Sequence, residues 1–196
     1  MKTKQVLVWA LALLGVMILF TSSPLLAEEK TMTPLGGGEI PLIEGIKMLE
    51  VGAEAPNFVV KDIEGKPFDF SKHKGKKVYL LVFWSIFCEP CRYEMPIIEK
   101  IYEEMGGDDF EVIAVAIDGE PMKNAIAGFV KQEKFTFTVL IDELDEKEFF
   151  KVADPYGVPG TPTLYIVNRE GKISFGHAGR LTKKELVEEI KKALGK

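Results

Sequence analysis

Cysteine and histidine are nearly absent. Of 196 residues, only Cys88 and Cys91 carry a thiol, and only His73 and His177 carry an imidazole. A small exported domain stapled by disulfides usually shows four or more cysteines. One pair three residues apart closes too short a loop to add much stability, because the loop-entropy benefit grows with loop length. A structural zinc site needs about four ligands. Two Cys and two His meet that count, but His73 lies in a lysine-rich loop, His177 lies far along the chain, and no two His share ligand spacing. No metal is therefore assigned. Basic charge is lacking too: 25 Lys and Arg stand against 30 Asp and Glu, a formal net charge of −5. Nucleic-acid binding calls for a basic face, so no nucleic acid is expected as a partner.

What is present is ordinary globular material, 46% hydrophobic and 28% charged, enough for one domain with its own core. The first residues differ from the rest. Lys2 and Lys4 precede the charge-free run Val6–Phe20, and "TSSPLLA" follows, ending on the small Ala27. Basic start, short apolar run and small-residue exit read as a secretory signal peptide over residues 1–27. Extended through Leu26, the run approaches the ~20 residues that span a bilayer, so an uncleaved anchor over 6–26 stays open. No cysteine lies near residue 27, which excludes a lipidated one there. Either way the rest of the chain is expected in the periplasm or on the outer face of the cytoplasmic membrane, where thiols can stay oxidised.

Residues 28–50, with the Gly- and Pro-rich "TPLGGGEIP", read as a flexible linker. The folded domain is placed at 51–196. Phe58–Lys61 and Pro67–Phe70 flank a "DIEGK" turn and predict a hairpin. Val78–Trp84 is an unbroken apolar run, the mark of a strand buried on both faces, and Phe110–Ile117 reads as a second buried strand. Residues 89–105 place Met95, Ile98, Ile101, Tyr102 and Met105 at helical spacing, with Pro96 inside. Glu120–Lys134 predicts a helix begun by Pro121, Phe135–Asp142 a strand, and residues 143–154 a short acidic helix. "TPTLYIVN" and "KISFGHAG" predict a closing hairpin. The last helix starts at Thr182 as N-cap, with Glu185 in the capping-box position. This alternation predicts an α/β domain around a mixed sheet, with helices on both faces.

In "FWSIFCEPCRYEMP", residues 83–96, Cys88 leaves a buried strand and opens a helix. Unpaired N–H groups and the positive helix end stabilise a thiolate there, the form that attacks disulfides. Cys91 sits one turn further in. Cys88 is thus the expected nucleophile and Cys91 the resolving thiol. Pro90 needs no N–H donor so early in the helix. Copper(I) on both thiolates with His177 as third ligand is a non-enzymatic alternative.

"FWSIFCEPC" followed by "GVPGTPTLYIVNREGK" resembles the thioredoxin superfamily. More closely, "VGAEAPNF", "KGKKVYLLVFW", "CEPC", "EMP" and "GTPTLYIVNREG", in this order, resemble the exported TlpA/ResA/CcmG-like thiol:disulfide oxidoreductases over about residues 51–196. The resemblance implies a thioredoxin-like fold with an N-terminal β-hairpin and a central insertion, here Gly119–Thr136. It implies a cis Thr161–Pro162 peptide opposite the cysteines, exposing the Thr161 backbone to a substrate chain. It implies no cofactor beyond a redox-active Cys88–Cys91 disulfide. Its implied partners are protein thiols and disulfides, such as apocytochrome c thiols in cytochrome c maturation. A membrane thiol carrier of the CcdA/DsbD type is the implied electron donor, and a monomer is expected.

Some residues depart from thioredoxins proper. Val82 stands where they keep a buried aspartate. Glu94 matches an acid of ResA-like members and offers a proton acceptor for Cys91; its plainer role is a helix acid favouring the dipole. Trp84 matches the tryptophan flanking the site, and Phe87 replaces a second one. Glu89 beside Cys88 opposes its thiolate, which makes the couple more reducing. A reductase is the leading reading. A peroxiredoxin-like thiol peroxidase is weaker, since Ser85 fits the hydroxyl position but Leu81 replaces the proline.

Overall fold

The computed structural model describes residues 46–196. The expected signal or anchor at 1–27, and the linker as far as residue 45, lie outside the described residues. Among these residues, seven strands form one sheet: β1 (Val59–Asp62), β2 (Pro67–Asp69), β3 (Val78–Trp84), β4 (Phe110–Ala116), β5 (Thr138–Ile141), β6 (Thr163–Val167) and β7 (Ile173–Ala178). Among the described residues, three α-helices accompany the sheet: α1 (Glu89–Met105), α2 (Lys123–Glu133) and α3 (Lys183–Leu194). The strand order is β2-β1-β5-β4-β3-β6-β7. β3, β4 and β5 run parallel, and every other pairing is antiparallel.

Every residue of β3 is buried, as its unbroken apolar run requires of a central strand with both faces covered. Strand periodicity divides its side chains between two cores. Val78, Leu80, Val82 and Trp84 join the first core. Tyr79, Leu81 and Phe83 join the second. All three helices bury their apolar residues in the first core: Met95, Ile98 and Ile101 from α1, Ile126 and Val130 from α2, Leu186 and Ile190 from α3. α3 begins with the anticipated capping box, Thr182 and Glu185 satisfying each other's backbone.

Where a helix was expected over residues 143–154, the chain makes turns instead. Carboxylates take the N–H groups that a helix would pair internally. Asp145 accepts from Lys147 N and Phe149 N, Asp154 accepts from Phe150 N, and Glu148 adopts a left-handed φ of 64°. The second face is therefore covered by aromatic side chains and turns rather than by a helix. Phe58, Phe70, Val152, Ala153, Tyr156 and Tyr165 form that core. The strand expected over 135–142 is also shorter, because Phe135 and Phe137 stack on each other ahead of β5.

Packed structure extends ahead of the expected boundary at Val51. Met48 and Leu49 pack on the second core, and Leu49 N donates to Tyr165 Oη at 3.0 Å. Gly157, at φ 61°, lies so close to this segment that a Cβ would stand 2.0 Å from the Lys47 carbonyl oxygen. Only glycine fits there.

Candidate active site

β3 delivers the chain to the site. After Trp84, the turn Ser85–Phe87 leads to Cys88, whose backbone is extended and whose sulfur caps α1. Asp118, two residues past β4, holds this turn. Its carboxylate accepts from Ser85 Oγ at 2.6 Å and from Ile86 N at 3.1 Å. Ser85 Oγ in turn accepts from Phe87 N at 3.1 Å, and Cys88 N donates to the Ser85 carbonyl at 3.1 Å. The parallel pairing Trp84–Ala116 brings the two segments together.

Cys88 and Cys91 are joined in a disulfide. Cys91 N donates to Cys88 Sγ at 3.2 Å, so the first-turn amide expected to favour a thiolate is aimed at the right sulfur. Cys88 is partly exposed and Cys91 fully buried. Glu89 and Pro90 follow as the first exposed residues of α1, and Glu89 is the acid of its first turn. Phe87, at 74% exposure, and Tyr93, at 60%, give the site an aromatic rim. Trp84 lies beneath it, fully buried and tilted against Phe129. Its Nε1 has no protein partner.

Glu94 is buried on α1, one turn beyond Cys91. Its Oε1 accepts from Leu181 N at 2.9 Å, while Oε2 is buried without a partner. Burial pushes its carboxyl up to about 7, against the Leu181 hydrogen bond and the nearby Arg180 charge, which pull it down. Val82, at the position where an aspartate was absent, faces the first core.

The Thr161–Pro162 peptide is cis. Phe83 pairs with Thr163 across the β3–β6 ladder, so Thr161 and Pro162 leave the sheet at the end from which Cys88 emerges. Pro162 is buried and Thr161 partly exposed. The carbonyl of Pro162 accepts from Gly179 N at 2.8 Å. His73 stacks on Phe68 and His177 on Phe175, on separate elements. Among the described residues, no three His, Cys, Asp or Glu side chains group as metal ligands.

Sequence reasoning missed Asp118. Its only signal was a lone acid directly after a buried strand, and nothing in the sequence said which strand lay alongside. The buried Asp142, which accepts from Val152 N and Ala153 N at 3.0 and 2.8 Å, was equally unmarked.

The Redoxin family profile matches residues 50–194. A thiol-disulfide oxidoreductase ResA of Bacillus thuringiensis subsp. konkukian is 38% identical over 144 residues, covering 74% of this chain and 79% of the relative. A thioredoxin-like protein YneN of Bacillus subtilis is 35% identical over 143 residues, 72% of this chain and 79% of its own. Among solved structures, a protein described as thiol:disulfide interchange protein DsbE of Chlorobium tepidum superposes with a TM-score of 0.65 at 31% identity, covering 75% of this chain and 99% of that one. StoA of Bacillus subtilis does so at 0.56 and 26%, covering 69% and 96%.

Proposed function

The chain belongs to the Redoxin family and is a thiol:disulfide oxidoreductase of thioredoxin-like fold, and from that premise we propose that it reduces protein disulfides outside the cytosol. The observation that carries the reading is the asymmetric disulfide: Cys88 is accessible at the head of α1 and Cys91 is buried behind it.

In the dithiol form, the Cys88 thiolate attacks one sulfur of a substrate disulfide. A mixed disulfide forms, and one substrate thiolate leaves and takes a proton from solvent. Cys91 then gives its proton to Glu94 and attacks Cys88 Sγ. The second substrate thiolate departs, and two electrons have passed from protein to substrate. The Cys91 amide that points at Cys88 Sγ stabilises the attacking thiolate. Glu94 suits the acceptor role because a carboxyl titrating near neutrality exchanges protons at working pH. Glu89 sets direction: its charge opposes the Cys88 thiolate and so favours the oxidised protein and the reduced substrate. Thr161 and Pro162 form the opposite wall, where the Thr161 backbone pairs with the substrate chain.

The resemblance to ResA- and CcmG-like proteins supports export through residues 1–27, apocytochrome c as a substrate and a CcdA/DsbD-type membrane carrier as the electron source. The test is Cys91→Ser, which blocks resolution. In cells it should accumulate substrate proteins in mixed disulfide on Cys88, and capture of none would overturn the reading. An equilibrium potential near the strongly oxidising value of about −120 mV would overturn the direction.

A further inference from the structure

Beside the disulfide, α1 and α2 enclose a groove of about 410 Å³, lined by Glu89, Arg92, Tyr93, Phe129 and Glu133. Its aromatic walls already carry cations: the Arg92 guanidinium lies 5.9 Å from the Phe129 ring centre, and Arg180 lies 5.7 Å from that of Tyr93. Such faces attract positive charge through the ring quadrupole. Glu89 and Glu133 form no ion pair among the described residues. Two carboxylates without an ion pair thus line the groove, beside the Arg92 guanidinium in its lining and the Arg180 guanidinium on its Tyr93 wall.

Position gives the groove its occupant. A polypeptide whose sulfur meets Cys88 must lay its neighbouring residues on the surface beside Cys88, and Glu89 is both the next residue and part of the groove wall. We infer that the groove is a specificity subsite for a lysine or arginine side chain flanking the substrate's disulfide. The aliphatic stem lies along Phe129 and Tyr93, and the charged head reaches Glu89 and Glu133. This rests on the reductase reading and adds to it which disulfides are preferred.

The test uses three disulfide-closed peptides that differ only in one flanking residue, Lys, Gln or Glu. With the reduced protein as stoichiometric reductant at low salt, the second-order rate constant for the Lys peptide should exceed that for the Glu peptide by about fivefold, the worth of a favourable surface ion pair. High salt should shrink the ratio. Glu133→Gln, outside the cysteine machinery, should cut the ratio roughly to half. Equal, measurable rates for the three peptides, or a Lys preference untouched by Glu133→Gln, would overturn the subsite. A binding measurement separates the two readings. A Lys peptide with serines for cysteines, titrated into the oxidised protein, should shift the amide resonances of Arg92, Tyr93, Phe129 and Glu133 more than its Glu counterpart. If those shifts appear but no peptide is reduced, the reductase reading falls and the subsite stands. If both peptides shift them alike, the subsite falls.

Discussion

At the scale of single residues, the site depends on how few groups hold the nucleophile in place. Cys88 sits between a turn fixed by Asp118 and a helix that its own sulfur caps. Asp118→Ala removes the acceptor of Ser85 Oγ and Ile86 N together. A part-buried donor left unmade costs about 1–3 kcal/mol. The oxidised protein should lose about that much stability in urea unfolding, and disulfide exchange should slow as the turn ahead of Cys88 loosens. Asp118→Asn keeps an acceptor for Ser85 and should recover part of both losses. Unchanged unfolding and unchanged exchange would show that Asp118 does not position the turn. The cysteine pair was legible in the sequence because its meaning lies in local spacing, two thiols one turn apart at the head of a helix; Glu94 was singled out there only through the resemblance. Asp118 was not, because its meaning lies in β4 running beside β3, which no local pattern encodes.

At the scale of elements, strands and capped helices read well from sequence, and the acidic segment after β5 did not. The runs at β3 and β4 admit one interpretation, and α3 announces itself through Thr182 and Glu185. Residues 143–154 hold helix-favouring Glu and Lys, yet their Asp residues compete for backbone N–H groups and win. Asp142 anchors the result from the end of β5. It is fully buried, and its carboxylate accepts from Glu143, Val152 and Ala153 N. Burial, with a smaller push from the Asp154 charge, raises its carboxyl to about 6 against the pull of those three bonds. Asp142→Ala leaves three N–H groups without that acceptor, two of them buried with it. The expected cost is about 3 kcal/mol or more. Urea unfolding measures it, and faster hydrogen exchange at the Val152 and Ala153 amides should accompany it. A loss under about 1 kcal/mol would mean that water or a shifted backbone replaces the carboxylate.

At the scale of the whole molecule, one sheet separates two unlike cores, and that division was not legible. Period-two alternation in β3 is invisible in a sequence where both faces are apolar; only the helices gathered on one side distinguish them. The helix-bearing core encloses the site's one buried carboxyl near neutral titration, and this couples folding to pH. Glu94 is raised from 4.5 to about 7 in the fold. Between those values the folded state binds more protons than the unfolded state, so its stability falls as pH rises. At about 1.4 kcal/mol per pH unit, this group takes away about 3 kcal/mol between pH 4.5 and 7. Asp142 acts in the same direction at lower pH, so the wild-type slope alone does not isolate Glu94. The difference from Glu94→Gln does. The variant keeps an amide oxygen for Leu181 N and removes the titration, so its stability, followed by urea unfolding of the oxidised form, should be flatter across pH 5 to 8. The gap between the two proteins should favour the variant increasingly toward pH 8. A constant gap across that window would place the Glu94 carboxyl at its ordinary value, and with it would go the reason for assigning it the Cys91 proton.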